Sequence, residues 1–344
     1  MNSATDMSTA LTGKTERTTS SAPRLSIPPA FFAAALGLCG LSALWQFAAK
    51  SIGAPHAAGD AIAVVAAVVL CILACCYARQ GPRHLLADAK DTAAGPLLAA
   101  PVMSGLILGV VLGDHARVAG HVVVIVLLVV ATLMAGLLLG QWFTGGLEQD
   151  KLGPAIYLGG GGLTFVGTQA AAAIGHHQIA EAFFGIGVIS WVHVSSVVLG
   201  RVFLRPRLAP ALFPSMAIEL ATPAVGGSAY FALHPGRPDA FAVAIAGYAA
   251  VILIAQVRLL PLYGRLSFSP SFWSFTFPAA ATATLALHWL AVEHPAGHKV
   301  YAWIIVGFAT ALVAAIAVRS CLGIARWVQS QLAGMTPASV TRNS

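Results

Sequence analysis

Apolar residues along this chain gather into ten stretches, each about as long as the 17–25 residues that one helix needs to cross a bilayer. Their approximate limits are 28–49, 57–78, 95–113, 119–141, 154–174, 179–200, 211–233, 240–259, 270–291 and 300–322. Short polar joints separate them, and most carry turn residues. Gly53 and Pro55 follow the first, Gly81-Pro82 the second and Gly145-Gly146 the fourth; Pro206 and Pro210 precede the seventh, and Pro235-Gly236 follows it. The pattern predicts ten transmembrane helices. The short joints predict antiparallel neighbours, hence five helical hairpins.

Helix breakers fall on every second stretch. The first carries Pro28-Pro29, Gly37 and Gly40; the third Pro101, Gly105 and Gly109; the fifth Gly159-Gly160-Gly161-Gly162 and Gly167. The seventh carries Pro214, Pro223, Gly226 and Gly227, and the ninth Pro278. The even stretches have no interior proline and only scattered glycines, such as Gly136, Gly185 and Gly247. A proline inside a helix removes a hydrogen bond and bends the axis. Lipid cannot satisfy the freed carbonyl, so such helices belong against protein or a water-filled cavity. The odd helices are therefore expected to wall a central pathway and the even ones to form a lipid-facing shell. The competing reading is that small residues only let helices pack closely.

Composition agrees with the membrane reading. Of 344 residues, 58% are hydrophobic and only 9% charged, with mean hydropathy +0.82; an average soluble domain carries about 25% charged residues. The net charge of +7 is explained by topology. With alternating crossings, the side of the termini holds Lys14, Arg17, Arg24, Arg79, Arg83, Lys90, Lys151, Arg201, Arg205, Arg207, Arg258, Arg265, Arg319, Arg326 and Arg342. The other side holds only Lys50, Arg117, Arg237 and Lys299. By the positive-inside rule both termini are expected in the cytoplasm, and no nucleic-acid partner is called for. Residues 1–26 have no apolar core of a signal peptide and are predicted to be a disordered cytoplasmic tail. The membrane domain is predicted over 27–325, with a short cytoplasmic tail at 326–344.

Few side chains in the spans carry chemistry. Phe277, directly before Pro278, is a bulky ring beside a breaker in a small-residue wall, so it is either a pore plug or a packed core aromatic. Glu219 lies mid-span in the seventh stretch. An intramembrane acid is costly and by default functional; Glu219 is read as a proton or pH-sensing site, or as a structural acid bonded to a neighbour such as His193. His193, central in the sixth stretch, is the second such candidate. No metal site is expected: His176-His177 lacks ligands at metal spacing, and Cys39, Cys71, Cys75, Cys76 and Cys321 read as small hydrophobes. The glycine run at 159–162 lacks the Lys-Ser/Thr ending of a phosphate loop. No cofactor is expected: His193 and His288 are the only histidines well inside the spans, a poor basis for haem. An enzyme is therefore not expected.

The segment Trp273-Ser274-Phe275-Thr276-Phe277-Pro278-Ala279 resembles the ninth-helix signature of the tellurite-resistance/dicarboxylate transporter family. That family includes TehA-type bacterial proteins and the slow-type anion channels of plant guard cells. Ala221-Thr222-Pro223-Ala224-Val225-Gly226-Gly227-Ser228-Ala229-Tyr230 resembles its seventh helix, and Phe183-Phe184-Gly185-Ile186-Gly187 with Trp191 is similar to its sixth. The resemblance covers about 27–325. It implies an all-α integral membrane protein: ten helices as five hairpins with quasi-fivefold symmetry around a central pore, odd helices inside, assembled as a homotrimer in the bacterial inner membrane. It implies that Phe277, with Pro278, closes the pore. The pathway wall is then expected at Pro101, Gly105, Gly160, Gly161, Thr164, Pro223, Gly226, Gly227 and Ser274. Small inorganic or organic anions are the implied cargo, by channel conductance; proton-coupled C4-dicarboxylate transport or tellurite or sulfite efflux is the alternative.

Overall fold

The computed structural model describes residues 27–145, 147–149 and 152–334, so most of both expected tails lies outside the described residues. All regular elements among these are helices. In chain order they are α1 (Phe32–Ile52), α2 (His56–Ala78), the short α3 (Pro82–Lys90) and α4 (Ala94–Leu97), α5 (Ala99–His115), α6 (Arg117–Phe143), α7 (Gly161–Ala173), α8 (His177–Leu204), α9 (Ile218–Leu233), α10 (Ala240–Tyr263), α11 (Thr276–Glu293) and α12 (His298–Gly334). Among the described residues, eight helical stretches are long and apolar enough to cross a membrane. The chain is a multi-pass membrane protein.

The fifth and seventh predicted crossings differ from the other eight. Their α-helices, α7 and α9, have only 13 and 16 residues. Each is preceded by a five-residue 3-10 turn, Pro154–Leu158 and Phe213–Ala217 respectively. The glycine run and Pro214 are the local causes, because glycine weakens helix propagation and proline is best placed in a first turn.

The same device recurs at α1, α5, α7, α9 and α11, which correspond to the odd predicted crossings and are termed the odd helices; α2, α6, α8, α10 and α12 are termed the even helices. Turns containing Pro29, Pro154, Pro214 and Pro270 lead into α1, α7, α9 and α11, and α4 with its Pro96 leads into α5. Pro101 and Pro278 sit in the first turns of α5 and α11, where the missing N–H removes no helical bond; Pro223, inside α9, is the interior break. The even helices are longer and unbroken through their apolar stretches. Pro261 lies in the last turn of α10, beyond the predicted end of that crossing at 259.

The odd helices pack on one another in a closed circuit: α1 on α5, α5 on α7, α7 on α9, α9 on α11 and α11 on α1. Each also packs on the even helix that follows it. The burial pattern follows: 56%, 50% and 44% of the apolar window is buried in the stretches ending α1, α5 and α11, against 17–28% in the even helices. Val118, Leu137, Leu204, Ile254 and Phe308 of the even helices are exposed, as lipid-facing side chains are. Close approach in the α5–α6 pair depends on Gly120, where a Cβ would stand 2.4 Å from Gly113 Cα.

Two features were not legible beforehand. Residues 82–90, read as a joint, form α3 behind Gly81 and Pro82; Tyr77 Oη donates to Asp88 Oδ2 at 2.6 Å and ties it to α2. The last helix continues to Gly334, through the first residues of the predicted tail.

Asp239 caps α10 by accepting from the Phe241 and Ala242 amides at 3.1 and 3.0 Å, and it also accepts from Tyr230 Oη. The Tyr230 hydroxyl and those amides hold its carboxyl below its usual pKa. A depressed folded-state pKa stabilises above the unfolded value and is lost as pH falls through the folded one. Asp239→Ala should therefore lower the melting temperature of the detergent-solubilised protein at neutral pH, and the difference from wild type should shrink below about pH 4, the ordinary range of an aspartate. A variant melting like wild type at neutral pH would remove this cap from the account.

Candidate ion pathway

Phe277 is the second residue of α11. The preceding turn, Pro270–Phe275, hands the chain to the helix at Thr276, whose Oγ1 donates to Trp273 O at 2.7 Å. Two glycines of α1 receive this corner. A Cβ at Gly37 would fall on Thr276 Oγ1, and a Cβ at Gly40 would stand 2.8 Å from Phe277 Cδ2. The Phe277 ring therefore lies over a patch of α1 that only glycine leaves open.

Two cavities meet at this ring. One, about 150 Å³, opens on the side where the odd helices begin. Its wall includes Leu36, Ala100, Met103, Gly162, Thr222 and Ser274, and among the described residues it carries no Lys, Arg, Asp or Glu. The other, about 370 Å³, lies toward the ends of the odd helices and is more polar, with Gln46, Lys50, Asp114, Gln169, Ser228, Thr284 and His288. Phe277 and Val225 line both. No residue of α2, α6, α8, α10 or α12 lines either one; the walls come from the odd helices and the segments that lead into them.

The residues proposed from sequence as wall divide sharply. Ser274, Phe277 and Pro278 line the smaller cavity. Pro101, Gly105, Gly160, Gly161, Thr164, Pro223, Gly226 and Gly227 line neither. Each of these glycines stands where a side chain would meet a packed neighbour. A Cβ on Gly105 would meet Leu127 at 2.7 Å, on Gly160 Val194 at 3.3 Å, on Gly161 Trp191 at 3.1 Å, on Gly226 Phe165 at 3.0 Å and on Gly227 Leu285 at 2.8 Å. They let helices approach, as small residues do in membranes. Thr164 is buried and donates to the carbonyls of Gly160 and Gly161 at 3.2 and 3.1 Å.

Glu219 lies in the first turn of α9, nearer the entrance than the mid-span position expected, and is buried but lines neither cavity. Its polar neighbours are Tyr157 and Tyr248, and Oε1 has no hydrogen-bond partner. Tyr157 in turn donates to Ser195 Oγ at 3.2 Å. His193 is exposed on α8, so the expected Glu219–His193 bond gives way to the tyrosines.

Sequence reasoning missed the polar wall of the larger cavity. Its signal was available: Gln46, Gln169 and His288 are isolated polar residues within odd apolar stretches. Gln46 Nε2 donates to Asp60 Oδ1 at 2.7 Å, and His56 and His115 approach the same carboxylate at 3.1 and 3.2 Å, which joins α1, α2 and α5 at this end. His288 is held between Phe231, stacked at 5.2 Å, and Phe47 at 3.9 Å.

Residues 26–321 match the SLAC1 family, described as voltage-dependent anion channel. The chain belongs to this family. It is 25% identical over 265 residues to a tellurite resistance protein TehA homolog from Haemophilus influenzae, covering 76% of this chain and 80% of that protein. It is also 25% identical over 150 residues to the guard cell S-type anion channel SLAC1 of Arabidopsis thaliana, covering 42% of this chain and 27% of that one.

Because Glu219 stands outside both cavities, Glu219→Gln should leave the pH profile of transport unchanged. Loss of that profile in a variant that elutes and melts like wild type would return Glu219 to the pathway.

Proposed function

We propose that this SLAC1-family chain forms an anion pathway through the two cavities and that Phe277 closes it. One observation carries the reading: the ring stands, with Val225, between two cavities walled by the odd helices and the segments that lead into them. Anion cargo is taken from the family and from the relatives' names. The role is transport, with no enzymatic step.

The architecture we favour is ten crossings as five hairpins with quasi-fivefold symmetry. The closed circuit of odd helices and their partnering with the following even helices support it. The broken segments are also long enough. Thirteen α residues rise about 20 Å and five 3-10 residues about 10 Å, close to the roughly 30 Å of a bilayer core. The excess of Lys and Arg on one side supports cytoplasmic termini in a bacterial inner membrane. The homotrimer rests on the family resemblance. Proton-coupled dicarboxylate transport or tellurite or sulfite efflux through Glu219 has less support, since Glu219 lines neither cavity.

Current through the purified protein in planar bilayers, under a chloride gradient at fixed cation, tests the reading. Phe277→Ala should raise the current more than about tenfold, equivalent to 1.4 kcal/mol of barrier, and reverse near the chloride potential. Its stability loss should stay below the roughly 3–5 kcal/mol of a core phenylalanine, because the ring already borders two voids. Gly40→Ala should displace the ring and raise the current by a smaller factor. An intact Phe277→Ala protein with wild-type current would remove the gate.

A further inference from the structure

We propose that Lys50 and Asp114 form a charge filter at the mouth of the larger cavity that admits singly charged anions and rejects dianions. The inference rests on the anion-pathway reading and narrows its cargo to small monovalent anions.

Among the described residues, Lys50 and Asp114 are the only formally charged ones that line either cavity. Both are exposed, and neither is ion-paired or hydrogen-bonded. Their positions on the helices distinguish them. Lys50 is in the last turn of α1, where the helix dipole favours a cation. Asp114 is in the last turn of α5, where the same dipole disfavours an anion. Helix stability therefore does not account for Asp114, and no partner neutralises it. It stands in the mouth as an unpaired negative charge.

The consequence for cargo follows from counting charges. A dicarboxylate needs a cationic partner for each carboxylate, and one lysine is present. Lys50 alone would attract a dianion twice as strongly as a monoanion; Asp114 at the same mouth repels it twice as strongly and offsets that preference, so the cost of desolvation decides. Beyond Phe277 the described residues that line the smaller cavity carry no charge and are mostly apolar. The cost of desolvating an ion there grows with the square of its charge, about fourfold from one charge to two by Born reasoning. A single attraction at the mouth with polar groups behind it, such as Gln169, Ser228 and Thr284, suits weak capture and release of a monoanion.

The experiment uses the full chain carrying Phe277→Ala in planar bilayers, with chloride and succinate as probes. Lys50→Gln should lower the chloride current about fivefold at low salt, the size of one unit charge felt through water at contact distance. The effect should vanish near 1 M salt, where the screening length is about 3 Å. Asp114→Asn should raise the chloride current, and Asp114→Lys should make succinate measurably permeant. Lys50 and Asp114 are both water-exposed, and matched elution and melting profiles establish that the variants fold. A chloride current indifferent to Lys50→Gln at low salt overturns the filter while leaving the gated pathway standing. Succinate permeating the Phe277→Ala protein as readily as chloride does the same. Absence of any anion current in Phe277→Ala overturns the pathway reading, and the filter with it.

Discussion

Lipid offers no partner to an unpaired backbone N–H or C=O, and the rest of this structure depends on that constraint. Each odd helix starts with a short turn containing proline, at Pro29, Pro96, Pro154, Pro214 and Pro270, and α9 carries Pro223 in its interior. Such backbone is tolerable only inside protein or beside water. The odd helices therefore pack on one another, and the regular even helices stand between them and the lipid. A cavity at the centre follows, because short, bent helices rich in glycine and alanine do not fill the space they enclose.

Where that cavity is interrupted is decided by one corner of α11. The turn before Thr276 aims Phe277 inward, and Gly37 and Gly40 of α1 leave room for the corner and the ring. Glycine acts here by absence: a methyl group at either position would occupy space that Thr276 or Phe277 already fills. The same logic governs Gly105, Gly160, Gly161, Gly226 and Gly227, but there the space is taken by residues of packed neighbours, on odd and even helices alike. Identical residue types thus serve the pathway in one place and helix packing in another.

Polarity divides the two sides of the ring. The smaller cavity is mostly apolar and the larger one carries amides, hydroxyls and two opposite charges. An anion crossing from one to the other would leave a wet, weakly attractive mouth and lose hydration at the phenylalanine. In the proposed pathway that gradient would set the energetic barrier at the ring and the discrimination among anions before it.

Much of this was legible in the chain. The apolar rhythm, the alternation of broken and regular stretches and the side bias of Lys and Arg report which solvent each segment meets, and solvent preference is a local property of composition. Ser274, Phe277 and Pro278, which stand out along one dimension as a bulky ring beside a proline in a motif, line the smaller cavity. Tertiary structure alone decided that most of the glycines serve packing, that Glu219 turns toward Tyr157 and Tyr248 instead of His193, and that Lys50 and Asp114 share a mouth although 64 positions apart. Those facts concern which surface of a helix meets which neighbour. An odd helix here is apolar on every side, so its sequence carries no periodic mark of the face that turns to the pathway, and only packing selects it.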